Sequence, residues 1–225
     1  MLAIFKREFK SYFQNVIGWL FVAALLAVYG LYFYVYNLKN GYPYISYDLN
    51  GIGFIMMIAV PILTMRSLSD ERKTKTDQLM LTSPVSVGRI VAGKYFAMAA
   101  VYTIDIALFA LSPLVLSIYG KVALSEAYVA LFGYWLYGLS CIAVGLFISS
   151  ISESVIISAI LTFTALFLSY MMQSITGLIS SSGNLLTKVL NCFDLYTPFE
   201  NFVSGCFSVT SAAYYVTVIL LLCFL

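Results

Sequence analysis

Residues 67–90 read SLSDERKTKTDQLMLTSPVSVGRI, the one long polar stretch in a chain of 225 residues. From 69 to 78, ten consecutive residues are polar, and the blocks on either side are almost free of charge. The chain is 62% hydrophobic and 10% charged, against about 25% charged residues in soluble domains. A water-soluble fold of this composition could not cover its surface with polar groups. The mean hydropathy of +0.95 agrees. Several of the blocks reach the roughly 20 apolar residues that a helix needs to cross a hydrocarbon core about 30 Å thick. They are continuous, without the alternation of outer-membrane strands. The reading is an all-α, polytopic membrane protein.

Working outward from that stretch, residues 44–65 precede it and residues 90–119 follow it as spans two and three. Pro61 is placed to kink the first, and Asp105 and Pro113 interrupt the second. Span one covers 16–36, 21 residues without a charge. Spans four, five and six are expected over 127–150, 155–179 and 212–225. The last is still apolar at Leu225, as expected of a span whose inner end lies further on. Tyr29, Tyr32, Tyr34, Tyr36, Tyr42, Tyr44 and Tyr47 are read as an aromatic belt at the headgroup level. Residues 1–15 place Leu2, Phe5, Phe9 and Phe13 at helical spacing with Lys6, Arg7 and Lys10 between them. This is the pattern of an interfacial helix on anionic membrane lipid, and no cleavable signal peptide is expected.

Orientation follows from the basic residues. With the N-terminus cytoplasmic, Lys6, Arg7, Lys10, Arg66, Arg72, Lys73, Lys75, Arg89 and Lys94 all fall inside, nine of the twelve. That asymmetry assigns six spans with both ends inside.

The motifs narrow the chemistry. The chain has no histidine, which weighs against a zinc protease or a histidine-dependent enzyme. Its four cysteines have no metal-ligand spacing; Cys192 and Cys206 both lie in or beside the outer loop at 180–211, and whether they pair as a disulfide is left open by the sequence. No nucleic-acid partner and no cofactor of its own are expected. Gly88 to Lys94 imitates the opening of a phosphate-binding loop. Tyr95 stands where Ser or Thr is needed, and the segment enters a span, so Lys94 is read as snorkelling to the interface. Asp105 lies about 16 Å beyond Lys94 at 1.5 Å per residue, near mid-bilayer, and is assigned to translocation or gating. Glu153, in the tight inner turn between spans four and five, is read as capping span five. In the polar stretch, Ser67 with Asp70 marks a helix start and Ser83-Pro84 an end. Its mixed charges and trailing Leu79, Met80 and Leu81 suit docking in a protein groove.

Pro61-Ile-Leu-Thr-Met-Arg66, Glu71-Arg72, Thr76, Leu81-Thr-Ser-Pro84-Val85 and Gly93-Lys94-Tyr95 together resemble ABC-2-type transporter permeases. The resemblance is nearest the subgroup related to gliding-motility and nitrous-oxide-reductase-maturation exporters. Gly145-Leu-Phe-Ile-Ser149-Ser150 with Glu153 resembles the same subgroup's span-four to span-five turn, and Phe199, Phe202 and Gly205 its approach to span six. The resemblance implies the permease half of an ATP-driven exporter in a cell membrane, the bacterial inner membrane. Such a half pairs with a second permease chain, identical or not, and with two cytoplasmic ABC ATPase subunits that carry the ATP and magnesium. It also implies a coupling segment at 67–84, with Asp70, Glu71, Arg72, Thr76, Gln78, Leu79 and Leu81 toward the ATPase. Where the family has Gly-Thr-x-Glu, this chain has Lys75-Thr76-Asp77-Gln78. Two other readings stay open from sequence: a proton-coupled secondary carrier built on Asp105, and a non-transporting membrane anchor or sensor.

Overall fold

The computed structural model describes residues 2–73, 75, 86–120, 122–179 and 193–224. Ten α-helices carry the fold among these residues, and no strand occurs among them. An amphipathic helix α1 (Leu2–Gln14) leads into α2 (Val16–Phe33), which ends in a π-helical turn (Tyr34–Lys39). Helix α3 (Ser46–Thr64) returns to the polar stretch, where α4 (Ser69–Lys73) forms. Then follow α5 (Val87–Phe109), α6 (Ser112–Tyr119), α7 (Leu124–Ile151), α8 (Val155–Ile179), α9 (Thr197–Val203) and α10 (Val209–Phe224). Among the described residues, five helical segments are long and apolar enough to cross a membrane, and α10 is a shorter apolar helix. The protein is therefore an all-helical polytopic membrane bundle.

The third span breaks at Ala110 and Leu111, where α5 stops ahead of Pro113 in the first turn of α6. Proline lacks the N–H that a continuous helix would need there. Pro61 lies inside the last turn of α3, and Met65 N–H still bonds to its carbonyl. Tyr29 departs from the expected aromatic belt. It is buried, stacks on Phe109 with centroids 4.0 Å apart and hydrogen-bonds Ser112. Tyr34, Tyr42, Tyr44 and Tyr47 are exposed at that end of the bundle.

Helix α7 is the axis of the bundle. About it pack α3, α5, α8, α9 and α10, and 72% of its most apolar stretch is buried against 22% for α8. Small residues allow this. A Cβ at Gly133, Gly138 or Gly145 would lie 2.3 Å from Phe202, 2.3 Å from Tyr102 or 2.4 Å from Thr64. Lipid tails are as apolar as leucine, so spans associate through such close packing rather than through hydrophobic exclusion. Gly145 draws the end of α3 against the end of α7, and the chain after Thr64 is delivered to Ser149.

Candidate functional site

Helix α4 has five residues, too few to hold together alone. Its neighbours hold it. Ser149 Oγ, near the end of α7, accepts the backbone N–H groups of Leu68 at 3.1 Å and Ser69 at 3.2 Å. These are donors that a helix start leaves unsatisfied. The cap thus comes from another span. Ser67, expected to start the helix, instead turns its carbonyl to Lys94. Arg72 donates from Nη1 to the Ile151 carbonyl at 3.2 Å, tying the far end of α4 to the same helix end.

On the other side stands Lys94, in the second turn of α5. Its side chain is 2% exposed, so it does not snorkel. The ammonium lies 2.6 Å from the Ser67 carbonyl, 2.7 Å from Glu71 Oε1 and 3.6 Å from Glu8 Oε1. Arg7 completes the knot, with Nη2 at 2.7 Å from Glu8 and 3.8 Å from Glu71. Two cations face two carboxylates, and the three protons of the ammonium face three oxygens. A buried lysine charge is tolerated only under such pairing. Helix α1 is seated by the same knot through Glu8. It is seated again by Tyr12, whose hydroxyl meets the Leu63 carbonyl at 3.4 Å. Burial, reinforced by the Glu8 carboxylate, pushes the Tyr12 phenol well above its ordinary pKa and keeps it a neutral donor. A cavity of about 300 Å³ lies beside the knot, lined among others by Glu8, Tyr12, Arg66, Asp70 and Lys94. Side chains of α1, α4 and α5 thus meet in the knot, and α4 is tied separately to the end of α7.

Asp70 and Lys73, three apart on α4, are exposed on its outward side, whereas Arg72, also exposed, is turned to the Ile151 carbonyl. Glu71, expected on the docking face, turns inward to Lys94. Thr76, Gln78, Leu79 and Leu81 lie outside the described residues, as does Cys192; Cys206 is exposed. Glu153 is exposed in the three-residue turn between α7 and α8. Asp105 belongs to a separate, fully buried region of α5. Sequence reasoning missed Glu8 and Ser149 as site residues. The signals were there: Glu8 is the single acid in the basic N-terminal helix, and Ser149 sits in the serine pair before the tight turn.

Lys75 ends α4 in a strained backbone conformation. Its backbone φ is +56°, the left-handed region, and its N–H bonds to the Arg72 carbonyl at 3.1 Å, closing α4. Glycine adopts this conformation freely, whereas a residue with a Cβ loses about 1–2 kcal/mol. Lys75→Gly will therefore stabilise the purified chain by about 1 kcal/mol, read from thermal unfolding in detergent. A lowered midpoint would contradict the strain.

The whole arrangement is that of a helical membrane bundle with a charged platform pinned to one end of its spans. That platform carries the motifs that resemble ABC-2 permeases. The chain belongs to the ABC-2 family of transporter proteins, whose family model matches residues 25–225. It is thus a membrane component of an ABC transporter, a multi-pass protein. The match begins within α2, so α1 with Arg7 and Glu8 precedes it. No curated protein matches the chain.

Proposed function

We propose that this chain is the permease subunit of an ATP-driven exporter. In this reading it lines the translocation path as a dimer, with its N-terminus and α4 in the cytoplasm. Separate cytoplasmic ATPase subunits bind ATP and magnesium and dock on the outward face of α4. The observation that carries the proposal is the double anchorage of α4, to α5 through Lys94 and to α7 through Ser149. A helix of one and a half turns with that many ties to the spans is built to pass on force. Its exposed Asp70 and Lys73 offer mixed charge for recognition of a protein partner. The sparsely covered faces of α2 and α8 (28% and 22% buried) offer area for a second permease chain.

The test is charge reversal of the outward face. The Asp70→Lys, Lys73→Glu double variant, which leaves the Arg72 anchor in place, will weaken binding of the cognate ABC ATPase at least about tenfold, or about 1.4 kcal/mol, and will still insert in the membrane. Both can be measured on nanodisc-embedded protein. Unchanged affinity would sink the docking assignment.

A further inference from the structure

At the end of the bundle opposite α4, helices α2 and α3 are joined by a short hairpin turn. Helix α2 widens there into the π-helical turn Tyr34–Lys39, an irregularity common at functional positions. Gly41 reverses the chain at φ +70°, and the Tyr42 N–H bonds back to the Tyr36 carbonyl at 3.1 Å. The two helices approach closely: a Cβ at Gly51 would lie 2.4 Å from the Tyr32 ring. Between them, the Asn37 amide donates to Asp48 Oδ2. Asn37 is 4% exposed and Asp48 0%, whereas residues 38–44 are exposed.

With an ionised carboxylate this pair is incomplete. Asn37 Oδ1 and Asp48 Oδ1 are both buried without a hydrogen-bond partner, and a buried acceptor without a donor is destabilising. Turning the amide over would not help, because a carboxylate only accepts and the amide oxygen would then meet Asp48 Oδ2. Asp48 makes no ion pair among the described residues, and Lys39, two residues beyond Asn37, is exposed. The ionisable group facing it is Tyr29 of α2, whose hydroxyl is hydrogen-bonded to Ser112. From α7, α8 and α9, the other helices packed on α3, none faces it among the described residues. One proton on Asp48 Oδ1 supplies the donor that both oxygens lack.

We propose that Asp48 is a proton-binding site: its carboxyl holds a proton at neutral pH and donates it to Asn37 Oδ1, closing a ring of two hydrogen bonds that latches α2 to α3. A protonated carboxyl and a primary amide are complementary, each offering one donor and one acceptor to the other. The proton is exchanged with water at the exposed turn; an O–H bond of hydronium breaks as Oδ1–H forms. When the proton leaves, a buried negative charge stands beside the amide oxygen without compensation, and the latch opens. With α4 in the cytoplasm, as proposed above, the latch reads the pH on the outer side. The site rests on the Asn37–Asp48 pair and does not depend on the ATPase.

Asp48→Asn keeps the shape and makes the ring permanent, since an amide carries its donor at every pH. Infrared spectroscopy of the full chain in liposomes at neutral pH will show a carboxylic C=O band that Asp48→Asn removes and Asp105→Asn leaves. In Asn37→Leu the band will move to higher frequency as its hydrogen bonds are lost. Thermal unfolding in detergent reads the latch. The proton stabilises the fold at low pH and is lost as pH rises, so from about pH 5 to pH 9 the parent midpoint will fall several degrees further than that of Asp48→Asn. Replacing sodium by choline will leave both curves unchanged. Should Asn37→Leu fail to fold, the comparison with Asp48→Asn decides alone. No band assignable to Asp48, midpoints that track each other over the whole range, or a parent midpoint set by sodium rather than by pH would overturn the proposal.

Discussion

Lys94→Met will loosen α1 and α4 from the spans and remove most of the ATP hydrolysis that the chain elicits from its partner ATPase. Methionine matches the apolar stem of lysine and helix propensity hardly changes, so the substitution isolates the ammonium. Its loss leaves Glu71, Glu8 and the Ser67 carbonyl turned toward one another without a donor between them. Removing one partner from a buried ion pair costs about 3–5 kcal/mol. The side chains of Glu71 and Glu8 are 19% and 15% exposed and regain some water, which places the loss near the lower end, at about 3 kcal/mol. Thermal unfolding in detergent reads the stability, and hydrolysis by the nanodisc complex reads the coupling. A variant that unfolds at the parent midpoint would show that the knot is ornamental.

Gly138→Val will destabilise the bundle from its centre. A Cβ at position 138 would sit 2.3 Å from Tyr102 Cζ and 2.4 Å from its hydroxyl oxygen. The Tyr102 ring is fully buried, and its hydroxyl is committed to the Tyr134 carbonyl at 2.7 Å. It cannot swing aside without leaving that carbonyl unpaired. Overpacking of this kind costs about 3 kcal/mol, enough to lower the midpoint by several degrees. Gly30→Val is the control, since nothing lies within 4 Å of a Cβ there; it will change stability by no more than about 0.5 kcal/mol. Equal midpoints for the two variants would contradict the packing of α5 on α7.

Charge and hydropathy carried much of this architecture. The membrane class, the helix break before Pro113 and the polar element after Arg66 all follow from local pattern, because each is decided within a few turns of chain. What pattern could not reach is partnership across the fold. Lys94 reads as a snorkelling lysine until Glu8, Glu71 and Ser67 are brought to it from distant positions. Ser149 reads as one of many serines until Gly145 lets the end of α3 settle against α7. Ser67 has the spacing of a cap, yet its carbonyl is drawn to an ammonium and the cap falls to Ser149. Tyr29 looks like its exposed neighbours in a tyrosine-rich stretch, and only its facing Phe109 and Ser112 turn it inward.

The central claim, that an ATPase drives these spans through the knot at Lys94, is tested most directly by a double-mutant cycle. The quantity measured is chain-dependent ATP hydrolysis by the assembled complex carrying Glu71→Gln, Lys94→Met or both. If the two residues act as one link, Lys94→Met lowers hydrolysis about tenfold, and adding Glu71→Gln lowers it no further. Hydrolysis at the parent rate in both single variants, or losses that simply multiply in the double variant, would contradict the account.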